Sequence, residues 1–189
     1  IFEKDLDSFR DASYDKDIIL DNEFKFNFQH SFEKWFYSYT DKIKLGEYYI
    51  VQTKGGVANP IHSDTCPITN VSKTKINFTF ADYNSCLEYF WADAMYESKE
   101  NENDGAVMTA DEKDCKLIEK IKYENYYPVL VDTNSFHRGN NRNCKNRRLT
   151  VSYDLQDING NYVKFTDAVN IFKDVLVPLE NKFYMLSDS

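Results

Sequence analysis

Apolar and polar positions alternate without interruption from Thr74 to Phe80: Ile76, Phe78 and Phe80 fall on one face, and Lys75, Asn77 and Thr79 on the other. A period of two predicts a β-strand. Tyr48-Tyr49-Ile50-Val51-Gln52-Thr53 is rich in strand formers and is stopped by Gly55-Gly56. Further strands are expected over the aromatic stretch Leu87–Met95, at Val129-Leu130-Val131 behind Pro128, and over Leu149–Leu155. Many short strands at moderate spacing predict a mainly β chain: a sandwich, a barrel or a jelly roll. The helical period occurs in two places. Ser31 is placed to cap a short helix with Glu33 in its first turn and Phe32, Trp35 and Phe36 on one face; before it, Phe24, Phe26 and Phe28 alternate as a strand would. Near the end, Thr166 is placed to cap a helix through about Val177, with Ala168, Ile171, Phe172, Val175 and Leu176 as its apolar stripe. Residues 97–114 carry seven acids and little apolar content, which predicts a solvated loop. With no repeat and no Pro/Gly/Ser linker, the expectation is a single domain over 1–189. It comprises an N-terminal extension at 1–46, a β core at 47–155 and a C-terminal helix at 163–178.

Composition adds limits. At 189 residues, 42% hydrophobic and 16% aromatic, the chain can build a core, and no apolar run reaches the roughly 20 residues of a membrane-spanning helix. Net charge is −8, from 31 acids against 23 Lys and Arg, the wrong sign for a protein that coats duplex nucleic acid. Four of the five arginines (Arg138, Arg142, Arg147, Arg148) nevertheless gather in a segment free of acids between Asp132 and Asp154. A local positive field of that size suits a small anion. Cys66, Cys86, Cys115 and Cys144 form no C-x-x-C pair, and Ile1-Phe2-Glu3-Lys4-Asp5 has no basic stretch with an apolar one behind it. Free thiols in a cytoplasmic protein are the expectation.

The chemistry gathers around two of the three histidines. His62-Ser63-Asp64 puts an imidazole and a carboxylate on the same side of a strand, and His137 follows the Val129–Val131 strand closely enough to add a second imidazole. Two histidines and one carboxylate leave three open positions on a six-coordinate metal, the arrangement of non-haem Fe(II) oxygenases. His30 lacks such a context and reads as a hydrogen-bonded surface residue. Downstream, Arg148, Thr150 and Ser152 share one strand face, where a guanidinium with a hydroxyl two residues on can clamp a carboxylate. Arg147 points the other way and reads as a solvated strand end.

His62-x-Asp64, then His137, then Arg148-x-Thr150 resembles the Fe(II)/2-oxoglutarate-dependent dioxygenase superfamily, whose fold is a double-stranded β-helix, or jelly roll. The resemblance covers roughly residues 47–155 and is closest to short prolyl-hydroxylase-like members, including those of phages and marine microbes. Thr150 stands where serine is common, and the interval from His137 to Arg148 is slightly long. The resemblance implies Fe(II) held by His62, Asp64 and His137, and 2-oxoglutarate chelating it with its far carboxylate on Arg148 and Thr150. It further implies dioxygen as co-reactant, and oxidation of a substrate C–H with release of succinate and carbon dioxide. Asn77 is a candidate second contact to the cosubstrate, as is a tyrosine at 48 or 49. Two other readings fit the same residues: a non-catalytic jelly-roll binding or assembly protein, such as a virion component, and a cupin-like enzyme that uses the three ligands without 2-oxoglutarate. The substrate is not legible in the residues.

Overall fold

The computed structural model describes residues 32–64, 73–97, 108–122, 128–179 and 183–186. Phe24, Phe26, Phe28, His30, Ser31 and Cys66 lie outside the described residues.

The chain is mainly β. Its strands are β1 (Ile43–Thr53), β2 (Ile61–Ser63), β3 (Thr74–Phe80), β4 (Cys86–Ala92), β5 (Tyr96–Glu97), β6 (Met108–Ala110), β7 (Cys115–Lys122), β8 (Pro128–Asp132), β9 (Phe136–Asn140), β10 (Arg148–Asp157), β11 (Leu176–Leu179) and β12 (Phe183–Leu186). Two antiparallel sheets result, in the orders β1-β10-β3-β8-β12-β11 and β5-β6-β2-β9-β4-β7. Along the chain β1, β3, β8 and β10 enter the first sheet, while β2, β4, β7 and β9 enter the second. The pairing is nested, with β1 against β10, β2 against β9, β3 against β8 and β4 against β7.

The alternation at Thr74–Phe80 is there as expected, but both faces of that strand are covered. Ile76, Phe78 and Phe80 join Leu149, Val151, Tyr153 and Leu155 of β10 in the larger core, beneath two helices. Helix α1 (32–39) supplies Phe32, Trp35 and Phe36, spaced to share a face. Phe32 meets Phe78 edge-on at 4.8 Å and Tyr153 at 4.9 Å. Helix α2 (Phe165–Phe172) buries Ala168 and Phe172, and Phe172 lies 5.6 Å from Phe36. Each fully buried phenylalanine contributes roughly 1.5–3 kcal/mol relative to an exposed one.

Helix α2 is shorter than the 163–178 span expected, and Thr166 is not its cap. Its N-cap is Lys164, whose carbonyl accepts from the Asp167 and Ala168 amides. The helix stops at Phe172, while Val175 still packs in the same core and Leu176 opens β11. Pro178 suits the strand that follows: it brings no amide hydrogen and pushes Val177 toward extended backbone.

The expected loop at 97–114 is also partly strand. Met108–Ala110 forms β6 and pairs with β2, setting Thr109 opposite His62, and Glu112–Asp114 makes a 3-10 turn. Strand β7, which pattern reading missed, pairs with β4 along its length. At the near end of β1 the expected glycine stop holds: Gly56 has φ +81°, and a Cβ at Gly55 would fall 2.2 Å from the Lys145 carbonyl oxygen. Among the described residues no helix is long and apolar enough to cross a membrane.

Between the sheets the interior divides in two. Leu87, Tyr89 and Ile121 of the second sheet meet Val129 and Val131 of β8 in a small apolar cluster. The remainder of the first sheet's inner face is polar: Lys75, Asn77 and Thr79 on β3, opposite Asp154, Ser152 and Thr150 on β10.

Candidate metal centre

Strand β2 is only three residues long, and its neighbours hold it. Ile61 and Ser63 are buried on one side, with Ser63 Oγ donating to the Asn134 carbonyl at 2.8 Å, which turns His62 to the inner side. In the β2–β9 pairing His62 stands directly opposite His137, so both imidazoles share that face, with ring centroids 4.5 Å apart. The Asp64 amide donates to the Thr133 carbonyl at 2.9 Å, fixing the backbone just past the strand.

Each imidazole is anchored by its own loop. His62 Nδ1 lies 2.9 Å from the Pro60 carbonyl and His137 Nδ1 lies 2.8 Å from the Ser135 carbonyl. A carbonyl can only accept, so Nδ1 carries the hydrogen in both rings, which leaves Nε2 of each ring as the atom available to a metal. Burial, then the neighbouring His62, pushes the His137 pKa down to about 4, so its ring is neutral at pH 7. For Asp64, burial works toward protonation but is outweighed by Lys75, His137 and His62, and its pKa falls to about 2. The donor atoms of His62, Asp64 and His137 lie within 4.8 Å of one another. Two imidazole nitrogens and one ionised carboxylate, converging from two strands, fit a divalent transition metal. The three residues picked from the sequence are brought together.

Arg148 is the buried arginine of its pair, 3% exposed, while Arg147 turns outward, 3.4 Å from Gln52 Oε1. The Arg148 guanidinium crosses to the second sheet and lies over Gly139, where a Cβ would be 2.3 Å from Nη1. Gly139 is two residues beyond His137 on β9 and shares its face, a separation of about 7 Å along a strand. Thr150 and Asn77 are on the same inner face. The Thr150 and Thr79 hydroxyls share a hydrogen bond at 3.0 Å, and Ser152 Oγ donates to Asn77 Oδ1 at 2.6 Å. Tyr49 also belongs to this face, opposite Ser152, and its hydroxyl donates to Glu47 at 2.8 Å.

The positive field expected over 138–148 is partly offset, at Arg138 and Arg142. Arg138 turns to the outer face of β9, where Glu88 and Glu112 accept from it at 2.8 and 3.0 Å, and both Glu112 oxygens accept from Arg142. Those acids come from β4 and the 3-10 turn, too far away in sequence for a local charge count to include them. Cys86, Cys115 and Cys144 are free, as expected.

Two inner-face residues escaped pattern reading. Lys75 Nζ lies 2.7 Å from Asp64 Oδ2 and 3.7 Å from Asp154 Oδ1, and Asp154 is 1% exposed. Both were within reach: Lys75 shares its strand face with Asn77, and Asp154 is the next step after Arg148, Thr150 and Ser152. Compared with protein-family models and with curated proteins, the chain matches none.

Proposed function

We propose that this protein is a non-haem Fe(II)/2-oxoglutarate-dependent oxygenase on a double-stranded β-helix. With 2-oxoglutarate and dioxygen as co-reactants it hydroxylates a substrate C–H bond and releases succinate and carbon dioxide, one oxygen atom entering the substrate and the other succinate. The observation that carries the reading is the pairing, in one interior, of the His62, Asp64 and His137 donors with the Arg148 guanidinium about 7 Å further along β9. The nested strand order supports the roll, since the first strand of the eight-strand core pairs with the last, the second with the next to last, and so inward.

His62, Asp64 and His137 would hold the iron and leave three positions open. Bound iron and 2-oxoglutarate supply the oxidising chemistry. Arg148 takes the far carboxylate of the diacid in a two-pronged, charge-assisted pair, and the Thr150 hydroxyl turns from Thr79 to add a donor. A five-carbon diacid spans the interval between such a metal and such a guanidinium. Leu87, Tyr89, Val129 and Val131 close one end of the interior with apolar surface and keep water from that side.

The test is Fe(II)-dependent conversion of 2-oxoglutarate to succinate by the purified protein. Asp64→Ala should abolish it, and Arg148→Ala should raise the KM for 2-oxoglutarate tenfold or more, since a lost charge-assisted pair is worth about 1.5–3 kcal/mol. Turnover of a substrate unchanged by Arg148→Ala points instead to the cupin-like enzyme, and absence of succinate under every condition points to a binding protein.

A further inference from the structure

Asp64 divides its two oxygens between different partners. Oδ1 lies 3.6 Å from His62 Nε2, on the side where the donors converge, and Oδ2 lies 2.7 Å from Lys75 Nζ. Lys75 reaches across from the other sheet, and its backbone is held on both sides, opposite Asp154 on β10 and Val131 on β8. Its ammonium also sits 3.7 Å from Asp154 Oδ1 and 5.2 Å from the centre of the Tyr49 ring. Asp64 and two groups from two further strands thus define where that charge can be.

We propose that Lys75 is a positioning residue of the metal centre. It occupies one oxygen of Asp64, so that the carboxylate meets a divalent cation through Oδ1 alone, while Asp154 and Tyr49 keep the ammonium from following the cation. The inference rests on the ligand assignment above and adds to it a reason for the number of open positions. A carboxylate bound through both oxygens would take two positions and leave two. Bound through one, it leaves three, enough for a two-oxygen chelator and one further ligand. An ammonium so near the site opposes a cation by charge, and Asp154 offsets that opposition. An ion pair that served only to join the sheets would have no effect on how a metal is coordinated.

Binding of Mn2+ and the visible spectrum of bound Co2+ test this without any turnover. Wild type should bind one Mn2+ and His137→Ala none. Lys75→Met should weaken Mn2+ binding by roughly 10–100-fold, the usual effect of removing a group that orients a ligand, and should change the shape of the Co2+ spectrum. Lys75→Arg should restore both in large part. The double variant Lys75→Met/Asp154→Asn, which removes one charge of each sign, carries the same expectation if Lys75→Met proves poorly folded by circular dichroism. Unchanged Mn2+ affinity together with an unchanged Co2+ spectrum in a folded Lys75 variant overturns the positioning role and leaves the ligand assignment standing. A wild type that binds no divalent cation overturns the ligand assignment, and this inference with it.

Discussion

A side chain as small as alanine at position 139 would place its Cβ 2.3 Å from Arg148 Nη1. The atom it meets is the end of a long side chain rather than backbone, so the protein can yield by moving the guanidinium aside at little cost in stability. The clamp cannot yield in the same way, because the fork must face the diacid squarely to make both bonds. Gly139→Ala should therefore keep the melting temperature near that of wild type, bind Mn2+ normally, and lose tenfold or more in affinity for 2-oxoglutarate, a change of about 1.4 kcal/mol. Calorimetric titration of the Mn2+-loaded protein measures it. Normal affinity in that variant would remove Arg148 from the proposed site.

Among the elements, the junction between β9 and β10 depends on one asparagine. Asn141 is fully buried, and its Nδ2 donates to the carbonyls of Thr53, Lys54 and Asn146 at 3.2, 3.1 and 2.8 Å. Its own carbonyl accepts from the Gly56 amide at 3.1 Å, so the end of β1 and the approach to β10 share one anchor. Asn141→Ala strands buried carbonyls and should cost about 1–3 kcal/mol in urea unfolding; a loss below a few tenths would show that water replaces the amide without penalty. The same scale shows what a sequence can and cannot disclose. Strand β3 is legible because its apolar positions face a wall of helices and its polar positions face the other way, and the His62, Asp64 and His137 set is legible because strand period alone puts 62 and 64 on one side. Strand β7 is not legible, since of Cys115–Lys122 only Ile121 is buried and the element exists by pairing with β4. Lys75 reads as solvent-facing for a related reason. A polar face normally signals water, and here it lines the space between two sheets, a fact held by the tertiary arrangement and absent from the local pattern.

Taken whole, the molecule keeps several carboxylates below their ordinary pKa. Hydrogen bonds from Arg142 and Arg138 do this for Glu112, and Asn161 with nearby amides does it for Asp157. For Asp82 and Glu88 burial pushes upward and is outweighed, by Asn146 and Lys145 donors at the first and by Lys120, Asn140 and Arg138 at the second. Asp154 runs the other way, raised chiefly by burial. Where folded values are depressed, the unfolded chain binds more protons, so the stabilisation is complete above the ordinary values of 4.5 and 3.8 and is lost as pH falls through and below them. The melting temperature should begin to decline as pH falls through about 6.5, where His137 takes a proton in the unfolded chain but not in the buried folded site, and decline further below about pH 5 as the carboxylates follow, with Glu112→Gln flattening a small part of the latter decline because that pair is largely exposed. A melting temperature that rose on acidification through pH 4 would contradict the charge network.

The nested pairing has one more effect, on synthesis. Ile43 is partnered by Asp157, and His62 by His137, so each early strand waits for a late one. On the ribosome nothing N-terminal to β8 can complete the first sheet, and β1 stays unmatched until β10 has emerged from the exit tunnel. The nascent polypeptide holds Ile76, Phe78, Phe80, Leu87 and Tyr89 without their late partners until β8 and β10 have emerged, a non-local topology that prolongs the exposure of apolar surface and slows folding.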